Sequence, residues 1–291
     1  MIFVKTQGSS HPKFATTKYS TMAKTIFITG ASSGIGKSTA IYFANKGWKV
    51  IATMRNPQTV TDLGEYDNIT LLPLDVTDIE QIKSTVEKAV SIGNIDVVLN
   101  NAGYGTVGAL EGTSDKEIEQ VVNTNLLGVI RLTKEFIPHF RENKGGVFIS
   151  ISSIDGLVAY PFFSLYHATK WAIEGWTESM AFELNRLGIQ IKTIQPGPTK
   201  TDFVGRSLVI PEHPAYDDFF DGFKKLFFSD EFIDSLAPAE TVSEIIYEAA
   251  TDGKNQLRYL VGAVANGDYN KRLELGAEAF HQNLDKAFFG S

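Results

Sequence analysis

A short apolar run, Thr25–Thr29, feeds straight into Gly30-Ala31-Ser32-Ser33-Gly34-Ile35-Gly36, and a helical pattern follows at once over Ile35–Lys46. Strand, glycine-rich turn and helix in that order define the first unit of an alternating α/β chain. Glycines let the backbone come close to a pyrophosphate, and the helix that starts there supplies free amides and the positive end of its dipole. The spacing is G-x-x-x-G-x-G, not the commoner G-x-G-x-x-G, and a tight turn with no ligand is the competing explanation. A P-loop is disfavoured, because Gly36-Lys37-Ser38 follows the wrong upstream glycine spacing.

The same alternation continues down the chain. Lys49–Thr53, Ile69–Leu72, Asp96–Leu99, Val147–Ile151, Ile189–Ile194 and Arg258–Val261 read as buried strands. Ile79–Ile92, Ser114–Asn143 and Ser164–Leu187 read as the helices between them. Continuous apolar strands of this kind imply a parallel sheet covered on both faces. The predicted fold is therefore a doubly wound, three-layer αβα sheet of the Rossmann type, with 43% hydrophobic residues to fill its core. Residues 23–291 read as one such domain. Residues 1–22 are polar, with lysines and no acid, and read as a disordered extension. Residues 199–237 break the rhythm. Phe203–Phe232 holds seven of the twenty phenylalanines, which suggests a lid over an apolar substrate or a helix pair packed on the core. Residues 265–288 form a helical extension beyond the repeat.

The chemistry-bearing residues fall at the carboxyl ends of these strands, where ligands bind in such sheets. Tyr166-His167-Ala168-Thr169-Lys170 places a phenol and an ammonium on one helix face, with Ser153 thirteen residues upstream. The ammonium favours the phenolate, whose ordinary pKa is about 10, and so lets tyrosine exchange a proton near neutrality. Asn100-Asn101-Ala102-Gly103 follows the fourth strand; its side chains either face a ligand or knit neighbouring strands together. Asp75, ahead of Val76, is placed to accept from an adenine amino group or to cap the next turn. At the end of the second strand, where an acid would grip a ribose 2′-hydroxyl, stand Met54 and Arg55, and no carboxylate occurs from Val50 to Asn56. Arg55 suits a 2′-phosphate, which favours NADP(H) over NAD(H).

Charge and composition exclude several classes. With 27 basic and 34 acidic residues the net charge is −7, which disfavours nucleic acid and anionic membrane as partners. There is no cysteine, so no thiolate chemistry and no disulfide framework, which fits a cytoplasmic location. Five scattered histidines show no metal-ligand spacing.

Together these motifs resemble the classical short-chain dehydrogenase/reductase family over about residues 24–262, and Tyr166–Trp176 with Ile51–Arg55 is similar to its hydroxysteroid and retinol dehydrogenase-like branch. The resemblance implies a catalytic tetrad of Asn125, Ser153, Tyr166 and Lys170, with Ser152 the rival for the serine. It implies a cofactor site from Gly30, Ser32, Ser33, Gly34, Ile35 and Gly36, through Arg55, Asp75, Val76, Asn101, Ala102 and Gly103, to Pro196, Gly197 and Thr199. Tyr166 and Lys170 join that site at the nicotinamide ribose. The function expected is interconversion of a secondary alcohol and a ketone or aldehyde, on a hydrophobic small molecule, by a homodimer or homotetramer. A dinucleotide-binding sensor without turnover, and an epimerase or dehydratase of the extended branch, are the alternatives.

Overall fold

The computed structural model describes residues 23–201, 208–227, 229–234 and 236–290. The expected extension 1–22, and Phe203 and Phe228 of the aromatic segment, lie outside the described residues.

Seven parallel strands form the central sheet: β1 (Thr25–Thr29), β2 (Lys49–Met54), β3 (Ile69–Pro73), β4 (Val97–Asn100), β5 (Gly146–Ile151), β6 (Ile189–Pro196) and β7 (Arg258–Val261). Their order is β7-β6-β5-β4-β1-β2-β3. The chain builds outward from β1 to β3, then returns to β4 on the other side of β1. Strand order therefore reverses between β1 and β4, and a crevice opens there at the carboxyl edge. The register pairs Thr29 with Thr53 and Asn100 with Ser150, so these strand ends share one edge.

Alternate side chains point to opposite faces, and each face has its own core. Ile26, Ile28, Val50, Ala52, Val97 and Leu99 pack with α1 (Gly34–Asn45) and a later helix, α8 (Ala239–Thr251). A buried Thr39–Ser243 hydroxyl contact of 3.1 Å joins those two helices. On the opposite face, Phe27, Ile51, Val98 and Phe148 meet α2 (Ile79–Ile92), α4 (Gly128–Glu142) and α5 (Ser164–Leu184). Phe27 meets Phe136 edge-on at 4.9 Å, and Phe140 lies 4.6 Å from Phe148. This is the predicted three-layer Rossmann architecture.

Two elements differ from the sequence expectation, and a third takes one of its two alternatives. The helix read as continuous over 114–143 starts at α3 (Asp115–Val122) on a Ser114–Glu117 capping box, then passes through a π-helical turn, Asn123–Leu127, before α4. The aromatic segment contains two helices, α6 (Asp217–Phe227) and α7 (Asp230–Asp234), in keeping with the helix-pair alternative. The C-terminal extension is two helices, α9 (Ala263–Leu275) and α10 (Ala277–Phe289), separated by Gly276 at φ +81, a backbone value that suits glycine.

Candidate active site

The glycine turn after β1 is built around backbone contact with the end of β4. Gly30 has φ +66, and a Cβ there would stand 2.8 Å from Ala102 Cα. At Gly36 a Cβ would fall 2.5 Å from the Gly30 carbonyl oxygen. Only glycine allows this closeness. The Asn101 side-chain amide donates to the carbonyls of Thr29 (2.8 Å) and Gly30 (3.1 Å). The Thr29 hydroxyl accepts from the amides of Asn101 and Ala102 at 2.9 and 3.0 Å. Asn100 donates to Thr133 Oγ1 at 3.2 Å. The asparagine side chains thus knit the strands together, and the backbone of Ala102 and Gly103 borders the crevice.

The start of α1 suits an anion. Ser33 occupies the N-cap position without a side-chain cap bond, and the first turn carries no acid. Its first amides therefore lack an intrahelical partner and carry the positive end of the dipole. Ser32, Ser33 and Ile35 are half-buried along this turn. At the end of β2, Met54 is buried and Arg55 is exposed. The nearby Lys37 is paired with Asp62. Asp75 caps its own turn, accepting from the amide and hydroxyl of Thr77 at 2.9 and 2.7 Å, while Val76 is buried against Gly128. Beyond β6, the Gly197 amide donates to Val261 at 3.0 Å and the Thr199 hydroxyl donates to the Gly197 carbonyl at 2.8 Å. Pro196 ends the strand.

Ser153, Tyr166 and Lys170 meet where β5 and α5 converge. Ser153 caps a short turn, Ile154–Gly156, directly after β5. Its hydroxyl lies within hydrogen-bonding reach of the Tyr166 phenol. The Lys170 ammonium sits 5.4 Å from the Tyr166 ring centre and donates to the Ile151 carbonyl at 2.7 Å. All three residues are buried. Burial pushes Tyr166 well above the ordinary tyrosine value, Asp155 adds to that rise, and the Ser153 bond opposes it. Burial also lowers Lys170 to about 8, against the pull of Asp155 and Glu174. The sequence expectation that Lys170 would lower the tyrosine pKa is not what dominates here. Desolvation outweighs it, and the ammonium is directed at a carbonyl rather than at the phenol. Ser152, the rival serine, is buried with no hydrogen-bond partner for its hydroxyl.

Asn125 lies in the π-helical turn and is buried. Its side chain clamps Tyr104, donating to the carbonyl at 2.8 Å and accepting from the amide at 3.1 Å. It also reaches Thr169 Oγ1 at 3.4 Å, which ties the turn to α5.

Tyr166 is itself part of an aromatic wall. Tyr166 clusters with Val107, Phe163, Phe220 and Phe223, and Phe162, Phe227 and Phe288 pack against them. Helix α6 and C-terminal helix α10 thus both contribute rings. Phe162 adopts φ +66, uncommon for a bulky side chain, and lies 4.9 Å from Phe220.

Sequence reasoning missed Asp155, His167 and the π-helical turn. A carboxylate among Ile154, Leu157 and Val158, two residues after Ser153, was the available signal. Among the described residues no group of His, Asp and Glu is arranged to hold a metal ion, and no helix is long and apolar enough to cross a membrane.

Residues 24–208 match the family model for short chain dehydrogenases. The chain is 36% identical over 212 residues to an uncharacterised oxidoreductase of Schizosaccharomyces pombe, covering 72% of this chain and 88% of the relative. It is 36% identical over 199 residues to the 3-ketodihydrosphingosine reductase of Bacteroides thetaiotaomicron, covering 68% and 72%. With human retinol dehydrogenase 8 it shares 35% over 212 residues, covering 67% and 66%. A solved short-chain dehydrogenase from Streptomyces avermitilis superposes with a TM-score of 0.81 at 31% identity, covering 93% of this chain and 99% of that one. The structure of ElxO with NADP bound gives 0.70 at 30% identity, covering 86% and 100%.

Proposed function

This chain belongs to the short-chain dehydrogenase/reductase family, and from that premise we propose that it is an NADP(H)-dependent oxidoreductase interconverting a secondary alcohol and a ketone or aldehyde on an apolar substrate. The observation that carries this reading is the cluster of Ser153, Tyr166 and Lys170 beside aromatic rings, after the strand next to β4, where sheet order reverses. The uncapped start of α1 and the close backbone at Gly30 fit the phosphates of a dinucleotide. ElxO binds NADP, and exposed Arg55 with no neighbouring acid in β2 supports the same cofactor here. When bound, the dinucleotide supplies the hydride donor or acceptor and, in its oxidised form, a positive charge.

The side chains divide the remaining work. Ser153 fixes the substrate oxygen beside Tyr166. Tyr166 gives a proton to that oxygen during reduction and takes it back during oxidation. Its raised pKa keeps it protonated at neutral pH, ready to act as the acid. Lys170, lowered to about 8, is poised to return the proton to Tyr166 near neutrality and to hold the ribose. Asn125 keeps the π-helical turn and the Gly103–Tyr104 backbone in register beneath them. The ring-lined wall suits an apolar substrate, as the names of the sphingosine and retinol relatives suggest.

The test is a screen of alcohols and ketones with NADPH and NADH, followed by Tyr166→Phe. That variant is expected to lose roughly 10²–10⁴-fold in kcat while NADPH binds with unchanged Kd. Lys170→Ala is expected to lose both. A Tyr166→Phe enzyme keeping more than about a tenth of wild-type kcat rules out the acid–base assignment.

A further inference from the structure

One turn after Lys170 on α5, Glu174 places a carboxylate inside the protein. The residue is only 4% exposed, and both its oxygens are held by strands. Oε1 accepts from Gln195 Nε2 at 2.9 Å. Oε2 accepts from Arg258 Nε at 2.8 Å and lies 3.4 Å from the Thr193 hydroxyl. Gln195 is fixed in turn, because its own carbonyl oxygen accepts from the Tyr259 amide at 2.9 Å. Arg258 reaches on to Glu178, one turn further along α5. The Glu174 stem is seated against the turn after β5, where a Cβ at Gly156 would stand 3.0 Å from its Cγ. The carboxylate is thus clamped between β6 and β7 and cannot turn away.

A buried carboxylate costs more to desolvate than an apolar side chain of its size, and tying α5 to the sheet does not require one. Its place on the helix gives it a use. Residues four apart share a helix face, so Glu174 lies behind Lys170. Lys170 is buried, with its ammonium donating to the Ile151 carbonyl at 2.7 Å. Burial lowers it to about 8, and Asp155 and Glu174 oppose that fall. We propose that Glu174, clamped by Arg258 and Gln195, is a positioning residue that acts through Lys170: its fixed negative charge keeps the ammonium protonated, and Arg258 limits how strongly. The inference rests on the oxidoreductase reading of this site, in which a charged Lys170 holds the cofactor ribose and returns a proton to Tyr166.

Few titratable groups face Lys170. Its own helix contributes Tyr166 and Glu174, and the turn after β5 contributes Asp155, which lies 3.3 Å from His167. The π-helical turn reaches α5 through Asn125 and Thr169, neither of which titrates. Glu174 meets Lys170 on α5, Arg258 on β7, and the neutral Thr193 and Gln195 on β6. Lys192 of β6 is occupied elsewhere, 2.9 Å from Asp252. The signs follow from this arrangement. Without the Glu174 charge, Lys170 gives up its proton at lower pH. Without Arg258, Glu174 acts uncompensated while Gln195 still holds it, and Lys170 keeps its proton to higher pH. The two substitutions move one midpoint in opposite directions, which the loss of a helix–sheet tie common to both would not do.

The experiment compares wild type, Glu174→Gln and Arg258→Gln from acid to alkaline pH. One readout is the Kd for NADPH, from nicotinamide fluorescence, which needs no turnover. The other is kcat for reduction of acetophenone, decanone and retinal. In wild type both should weaken with a midpoint near the Lys170 value of about 8. Glu174→Gln is expected to move that midpoint to acid by about one unit, and Arg258→Gln to move it to alkali by about half a unit. The Arg258 side chain is 27% exposed against 5% for Glu174, so Arg258→Gln carries the test if the other variant does not fold. An unmoved midpoint in Glu174→Gln, an acid shift in Arg258→Gln, or a wild type with no midpoint within about one unit of the Lys170 value overturns the inference and leaves the oxidoreductase reading standing. A wild type that binds no NADPH, or binds it and reduces none of the probes, overturns that reading and this inference with it.

Discussion

At the scale of single residues, the choice between two cofactors rests on two neighbours. Met54 is buried at the end of β2 and Arg55 beside it is exposed to solvent. A 2′-phosphate placed there would meet no carboxylate, and the guanidinium offers a planar, permanently charged partner. A hydrogen bond to a charged group is worth roughly 1.5–3 kcal/mol, so Arg55→Ala should weaken NADPH by about one to two orders of magnitude. NADH lacks that phosphate and should be little affected. Met54→Asp should push the preference toward NADH by repelling the phosphate and accepting from the ribose hydroxyls. The measurement is kcat/KM for both cofactors across the three proteins. Equal losses for both in Arg55→Ala would mean that Arg55 supports the adenosine site generally. The residue scale also shows where sequence falls short. Ser153, Tyr166 and Lys170 were legible because their spacing on a strand end and a helix is fixed by local geometry. The contacts of Asp155 and His167 were not, because they depend on which hydroxyl and which amide the turn brings against them.

Among the elements, the aromatic segment around α6 is held by rings. Phe223 is almost wholly buried, 5.3 Å from Phe227 and 5.8 Å from Phe288, so it joins α6 to α10. Truncating a buried phenylalanine costs about 3–5 kcal/mol. Here that loss falls on a segment outside the central sheet. Phe223→Ala should therefore open α6 locally, seen as faster hydrogen exchange over 217–227 with the central strands still protected. The KM for apolar ketones should rise about tenfold, as for loss of part of a hydrophobic pocket, while NADPH binding holds. Equal loss of protection in β1 and β4 would show that α6 is integral to the core instead. Strands and main helices were readable because fully buried parallel strands are bounded apolar runs. The π-helical turn at Asn123–Leu127 was not, since one extra residue per turn leaves the apolar pattern nearly unbroken. Nor was the separation of α9 from α10, where a single glycine at φ +81 sets the break.

For the molecule as a whole, sheet order follows from rules that sequence pattern carries: short connections and right-handed crossovers leave few ways to lay seven parallel strands. What pattern does not reveal is which outer surface is left bare. One face of α5 carries Ala168, Trp171, Ala172, Gly175 and Phe182, spaced to line up on a helix. Phe182 is 77% exposed and Trp171, with the Arg272 guanidinium of α9 5.2 Å from its ring centre, 41% exposed, and a Cβ at Gly175 would meet nothing within 4 Å. Small residues that permit close approach, flanked by exposed rings, make this face suited to a second copy of the chain. The expected homo-oligomer should then form through α5 and the neighbouring α3 and α4. A two-fold contact centred on this face would bring Ala172 near its own counterpart, and Ala172→Arg would then set like charges together in a desolvated seam. That variant should run as a monomer in light scattering while its central strands stay protected from hydrogen exchange. An oligomer that survives the substitution, or a wild type that is already monomeric at micromolar concentration, would place the association elsewhere or remove it.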